Sequence, residues 1–148
     1  MAKAFISDRA WDFDIGPDEL WERIASVNDY RSWWPWLRRL DAPSGLVEGA
    51  EWKCEVSPPL PYKVRFHLQL DMVKPGSEAH ARVRGDIGGE ALLTVVDHGA
   101  GSTARLQSQL YPTNLLLRRA GQVARPFIEW GHDWVLDEGC RQFVRRGF

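Results

Sequence analysis

The histidine at position 132 has the greatest capacity for chemistry in this sequence. His132 lies between Ile128 and Leu136 on the apolar face of a helix that the residue pattern predicts from Pro126 onward. Because an imidazole titrates near neutral pH, it could anchor a carbonyl ligand by a hydrogen bond or act as a general acid or base. The position is also typical of a core histidine whose ring is hydrogen bonded by a backbone carbonyl or a carboxylate.

Three tryptophans fall within residues 32–37, Ser-Trp-Trp-Pro-Trp-Leu, in a chain that contains eight. Pro35 makes a regular helix through all of them unfavourable. Trp33, Trp34 and Trp36 could therefore border an apolar cavity and contact a flat ligand, or they could fill the core. Both interpretations remain open at the level of sequence, and at least one of the three is expected to be purely structural.

Arginines on a predicted strand form a further candidate site. Arg82 and Arg84 alternate with Ala81 and Val83, so the two guanidinium groups share one strand face. If that face is concave, they could bind a ligand carboxylate or phenolate, and otherwise they are solvated. Ser108 is a weaker polar candidate of the same kind, and so is Arg9.

The sequence lacks the spacing of a metal or nucleophile site. His67, His80, His98 and His132 are scattered, and neither HExxH nor paired CxxC occurs. Residues 99–104, Gly-Ala-Gly-Ser-Thr-Ala, lack the Gly-Lys-Ser/Thr ending of a phosphate loop and are flanked by strand patterns. No GxSxG motif is present. We therefore predict a site with neither a metal nor a cofactor.

Composition indicates one globular domain covering residues 1–148. Apolar residues make up 44% of the chain and charged residues 26%, and the net charge is -1. That balance argues against nucleic acid or an anionic membrane as the main partner. Cys54 and Cys140 do not form a CxxC pair, and neither a signal peptide nor a membrane span is apparent. A cytoplasmic protein with reduced thiols is the expectation.

The residue pattern changes between strand and helix periods along the chain. It predicts a strand over Ala4–Phe13 and short helices over Pro17–Ser26 and Asp29–Trp34. Further strands are predicted over Trp52–Val56, Val64–Met72, His80–Asp86, Ala91–Val96 and Ala104–Leu110. Helix follows from Thr113 or Asn114 to Arg146, with a kink or a restart at Pro126. The segregated order predicts an α+β fold with helices on one face of an antiparallel sheet. A twisted sheet of six or seven strands curls, so a long helix across its concave face would leave space beneath it.

Three stretches of the sequence resemble a known fold. They are PDELWERIASVNDYRSWWPWL for the paired short helices, VRGDIGGEALLTV for the central hairpin, and RPFIEWGHDWVLDEGCRQF for the closing helix. Their order resembles the helix-grip fold of the START/Bet v 1-like (SRPBCC) superfamily, in particular the small bacterial polyketide cyclase/dehydrase and lipid transport group. The resemblance implies a curved antiparallel sheet wrapped around a long C-terminal helix, with a cavity between them for an apolar or aromatic molecule. The group includes carriers, sensors and enzymes, so the fold alone does not decide the chemistry.

The predicted site combines the residues expected to border that cavity. The ligand-binding candidates are Trp33, Trp34, Trp36, Phe66, Leu68, Arg82, Arg84, Ser108, Ile128, His132, Val135 and Leu136, and His132 is the candidate catalytic residue. The favoured function is binding of a hydrophobic small molecule by a monomer or homodimer. The alternatives are a cofactor-independent polyketide cyclase or dehydratase that uses His132, and a partner-binding module with a large exposed apolar patch.

Overall fold

The computed structural model describes residues 5–57, 63–113 and 133–145. The elements in chain order are β1 (Phe5–Phe13), α1 (Pro17–Ile24), a 3₁₀ turn (Val27–Asp29), α2 (Tyr30–Trp33), β2 (Leu37–Asp41), β3 (Glu51–Val56), β4 (Val64–Lys74), β5 (Glu78–Gly85), β6 (Ile87–His98) and β7 (Gly101–Pro112). A C-terminal helix, α3, covers residues 133–145 of the described chain. Strands and helices are segregated as expected, which confirms the predicted α+β class.

The strands form one seven-stranded sheet in the order β1-β7-β6-β5-β4-β3-β2. Each neighbouring pair is antiparallel. The first strand of the chain therefore pairs with the last, and the two edges are β1 and β2. The sheet curls around α3, which confirms the predicted helix-grip arrangement.

The two short helices follow local rules of helix formation. Pro17 stands in the first turn of α1, where its missing N–H removes no hydrogen bond, and Leu20 at the next turn is fully buried. Helix α2 ends at Trp33, because Trp34 precedes Pro35 and takes an extended conformation (φ −120°, ψ 93°). The chain after α2 is thereby directed back towards the core.

Strand β4 shows where strict alternation fails. Val64, Leu68 and Leu70 follow the predicted inward pattern, but the register shifts between Leu70 and Met72. Beyond the shift Met72 lies opposite His80 on the outer face, and Val73 takes the inward position. Strict alternation along the predicted strand Val64–Met72 would place Met72 on the same face as Leu68 and Leu70, and the register shift makes that expectation wrong.

The core lies between the concave face of the sheet and the helices. Phe143 of α3 packs edge-on against Phe13 of β1, with ring centroids 5.8 Å apart, and against Trp33 of α2 at 5.2 Å. These contacts join the closing helix to the first strand and to the second short helix. No helix in the described part of the chain is long and apolar enough to span a bilayer.

Candidate functional site

A cavity of about 350 Å³ lies between the concave face of the sheet and α3. Its lining is almost entirely apolar and comes from the sheet, from α1 and α2 with their connections, and from α3. The lining residues are Trp11, Phe13, Ile24, Tyr30, Trp34, Trp36, Leu46, Trp52, Leu68, Leu70, Ala79, Ala81, Ala91, Leu93, Ala104, Leu106, Val135, Leu136, Gly139, Cys140 and Phe143.

Alanine side chains on the middle strands leave room for the cavity. Ala79 and Ala81 of β5, Ala91 of β6 and Ala104 of β7 all face it. Ala81 pairs directly with Ala91 across the β5–β6 ladder. Small side chains at adjacent inward positions cannot reach α3, so the space above them stays unfilled. Sequence reasoning missed these alanines, because alternation shows which residues share a strand face but not which face is concave.

The tryptophans after α2 attach the chain to α3 and form one wall of the cavity. The rings of Trp34 and Trp36 stack with centroids 5.4 Å apart. The indole N–H of Trp34 donates to the carbonyl oxygen of Gly139 at 2.8 Å, and that of Trp36 donates to Oε1 of Gln142 at 2.9 Å. Two of the three clustered tryptophans therefore both line the cavity and position the closing helix.

Gly139 allows this close approach. A Cβ atom at position 139 would lie 3.2 Å from Cζ2 of Trp36 and 3.8 Å from Nε1 of Trp34. The absence of a side chain thus lets α3 pack directly against the two indoles.

Trp33 and Phe66 do not line the cavity, contrary to their prediction as ligand residues. Trp33 is 6% exposed, and its ring lies against Tyr30 and Phe143 as part of the core. Phe66 pairs with Cys54 and packs against the core, and it is not among the lining residues. Leu68 does line it, as Val135 and Leu136 of α3 do.

Arg82 and Arg84 lie on the outer face of the sheet, which corrects their prediction as ligand residues. Their side chains are 74% and 70% exposed. Arg82 donates to Oδ2 of Asp71 at 3.1 Å, and Arg84 donates to Oε1 of Glu51 at 2.6 Å. Because inward Ala81 alternates with them along β5, both guanidinium groups must point away from the cavity.

Polar side chains of the concave face lie at the β1–β7 margin of the cavity. Ser108 is 9% exposed and lies two residues after the lining Leu106, but it does not itself line the cavity. Arg9 pairs with Asp133 at 3.1 Å and with Asp137 at 3.0 Å, which ties β1 to α3. Ile128 and His132 lie outside the described residues, so their predicted roles stay predictions.

The described lining is neutral at physiological pH. Burial raises the pKa of the Cys140 thiol to about 11, with a smaller contribution from Asp137. Burial also raises the pKa of the Tyr30 hydroxyl well above its usual value, and that hydroxyl donates to the carbonyl of Ile24. The indole of Trp52 donates to the carbonyl of Gly45 at 2.9 Å. The arrangement suits an apolar molecule and offers a ligand few unused polar groups.

A metal centre finds no support in the described residues. No group of three or more His, Cys, Asp or Glu side chains among residues 5–57, 63–113 and 133–145 is placed to hold a metal ion. The outer-face histidines instead pair with carboxylates: His67 with Glu51 at 3.0 Å and His80 with Asp71 at 2.5 Å.

Similar proteins appear at the level of structure. No family model matches the chain, and no curated protein matches its sequence. TTHA0849 from Thermus thermophilus superposes with a TM-score of 0.81 at 10% identity, over 97% of both chains. The Zhui aromatase/cyclase from Streptomyces sp. R1128 gives 0.78 at 11% identity, over 97% of this chain and 93% of that one.

Two further solved structures share the fold at lower TM-scores. Norcoclaurine synthase from Thalictrum flavum, solved with dopamine and hydroxybenzaldehyde, gives a TM-score of 0.65 at 9% identity over 98% of this chain and 89% of that one. Ara h 8.0201 gives 0.58 at 9% identity over 74% of this chain and 80% of that one. The chain shares the helix-grip fold of these four structures, and identities this low show the fold alone.

Proposed function

We propose that this helix-grip chain binds a hydrophobic or aromatic small molecule, lipid- or polyketide-like, between its sheet and its C-terminal helix. The observation that carries the proposal is the apolar cavity of about 350 Å³ with its neutral lining. Small-molecule pockets in proteins typically enclose ~300–1,000 Å³ and combine apolar walls with few polar groups. The available space fits a ligand of two or three fused rings or a short acyl chain.

Aromatic side chains favour a flat ligand. Trp11, Trp34, Trp36 and Trp52 all contribute to the walls. Flat rings stack on such side chains and gain dispersion energy beyond area burial. An unfilled apolar space of this kind costs stability relative to a packed core, so its retention supports a use for it.

Native mass spectrometry of gently purified protein provides a direct test. A discrete extra mass that is released on unfolding would identify the ligand class from an organic extract. A spectrum with only the bare chain would leave binding to be tested by titration.

Titration with N-phenyl-1-naphthylamine, a neutral aromatic fluorophore, tests the cavity itself. Ala81→Leu places three more carbons on the floor of the cavity and should weaken binding about tenfold, or about 1.4 kcal/mol. Arg82→Leu introduces the same side chain one residue later on the outer face and serves as the matched control. Equal affinities for both variants, each with wild-type circular dichroism, would contradict binding in this cavity.

A cofactor-independent polyketide cyclase or dehydratase is the second candidate. The likeness to the Zhui aromatase/cyclase favours it. Such a reaction needs a group that moves protons near neutral pH, and His132 is the candidate for that role. Turnover of a poly-carbonyl substrate that disappears in His132→Ala, with N-phenyl-1-naphthylamine affinity retained, would support the enzyme. We also propose that the protein is cytoplasmic.

A further inference from the structure

One row of inward side chains crosses five strands and changes character along its length. Leu70 of β4 pairs with Ala81 of β5, which pairs with Ala91 of β6. Ala91 pairs with Ser108 of β7, which pairs with Ser7 of β1. The first three residues line the cavity and the last two carry hydroxyl groups. Because directly paired Cβ atoms lie ~5 Å apart, Ser108 is an immediate neighbour of the lining Ala91, and Ser7 follows on the next strand.

The hydroxyl of Ser7 is withdrawn from solvent without a hydrogen-bond partner in the described part of the protein. The Oγ atom of Ser7 is buried and has no partner there. Ser108, which pairs with Ser7 across the β1–β7 ladder, is 9% exposed. Buried polar groups in native proteins are normally hydrogen bonded, so the Ser7 hydroxyl calls for a partner.

The charges beside the serine pair oppose an anionic ligand. Arg9, two residues from Ser7 on the same strand face, is held by two carboxylates, Asp133 and Asp137. The guanidinium of Arg9 is thus already engaged by protein carboxylates. A ligand carboxylate would have to compete with Asp133 and Asp137 for Arg9, whereas a neutral polar group would not.

We propose that Ser108 and Ser7 bind a neutral carbonyl or hydroxyl group at one end of an otherwise apolar ligand. This inference rests on the proposed function, because it assumes that the cavity is occupied. A serine hydroxyl both donates and accepts, so the pair serves a carbonyl oxygen as well as a hydroxyl. The ligand is therefore amphipathic and uncharged, with its rings over the alanines and its polar group beside β1.

Four naphthalenes that differ in one substituent test the proposal. The unsubstituted compound, 2-naphthol, 2-acetylnaphthalene and 2-naphthoate are titrated by quenching of tryptophan fluorescence. The wild type should bind 2-naphthol and 2-acetylnaphthalene about two- to tenfold more tightly than naphthalene, because the polar substituent gains one or two net hydrogen bonds. It should bind 2-naphthoate more weakly than 2-naphthol.

The serine variants separate this proposal from general cavity binding. Ser108→Ala and Ser7→Ala should abolish the preference for the polar compounds and leave naphthalene affinity unchanged. Thr103→Val removes a hydroxyl from the outer face of β7, the strand that carries Ser108, and should preserve the preference for the polar compounds. An unchanged preference in both serine variants, or 2-naphthoate binding as tightly as 2-naphthol, would overturn the proposal. Failure of naphthalene itself to bind the wild type would overturn the proposed function as well.

Discussion

The two faces of the central strands differ completely in chemistry, although alternate residues of the same strands form them. On the concave face Leu70 and Ala81 line an apolar cavity. On the outer face Asp71 accepts hydrogen bonds from His80 at 2.5 Å and from Arg82 at 3.1 Å. The comparison shows that the charged groups, which attract attention in the sequence, serve the solvated face. The candidate site depends instead on the smallest and largest apolar side chains.

The two faces should also differ in energy. Ion pairs between exposed side chains contribute ~0–1 kcal/mol each, because water screens them. Buried aromatic side chains contribute several kcal/mol through transfer from water and close packing. Substitutions on the two faces should therefore have clearly separated effects on the free energy of unfolding.

The largest expected effect is that of Trp33→Ala. Its ring is buried between Tyr30 and Phe143, so truncation leaves a cavity in the core and should lower the free energy of unfolding by ~3–5 kcal/mol. Urea unfolding measures the change. Arg84→Ala, which truncates a long side chain on the outer face, is the control and should cost less than ~1 kcal/mol. Similar losses for the two variants would remove the energetic distinction between the faces.

Gly139→Leu should have the next largest effect. Even a Cβ at position 139 would lie 3.2 Å from the Trp36 ring, so a leucine must displace that indole from the cavity wall. We expect a loss of ~1–3 kcal/mol in the free energy of unfolding and weaker binding of N-phenyl-1-naphthylamine. Gly139→Ala is the graded control, because its tight contact is offset by a helix-propensity gain of ~1 kcal/mol. A fully stable Gly139→Leu protein with unchanged affinity would contradict the assigned role of the glycine.

Much of the fold was predictable because its signals are local. Period-two alternation placed Leu68 inside, and the 3.6-residue spacing of the closing helix placed Val135 and Leu136 towards the sheet. Strand β2, Leu37–Asp41, was missed, since it is a short edge strand with adjacent arginines and a register shift against β3. Its pairing comes from β3 rather than from its own pattern.

The site was less predictable, because alternation does not state which face is concave. The sequence of β5 is equally consistent with Arg82 or Ala81 facing the cavity. Only the position of α3 relative to the sheet decides between them. Trp33 lies in the core and Trp36 in the cavity wall because of their contacts with a helix about a hundred residues later in the chain. The bulge that turns Met72 outwards likewise has no clear signature in its own residues.

The smallest expected effect is a pH dependence that belongs to the outer face alone. The hydrogen bond with Asp71 raises the pKa of His80 above 6.5, opposed by partial burial and aided by the charge of Glu90. A raised pKa means that protonated His80 stabilises the fold fully below pH 6.5 and that this contribution is lost as pH rises through the folded-state pKa. The pKa values of the Cys54 and Cys140 thiols are also raised by burial, so these thiols add a loss of the same sign only as pH approaches 9, where free thiols ionise.

Titration of the His80 ring by NMR, together with urea unfolding between pH 6 and pH 9, measures this contribution. We expect a change of less than ~1 kcal/mol, because both partners are partly solvated. Asp71→Asn should lower the His80 pKa and flatten the pH dependence, while the affinity for N-phenyl-1-naphthylamine stays constant across the range. An affinity for N-phenyl-1-naphthylamine that changed with pH in parallel with the His80 titration would show that the two faces are coupled. The two faces would then not be independent in energy and in binding.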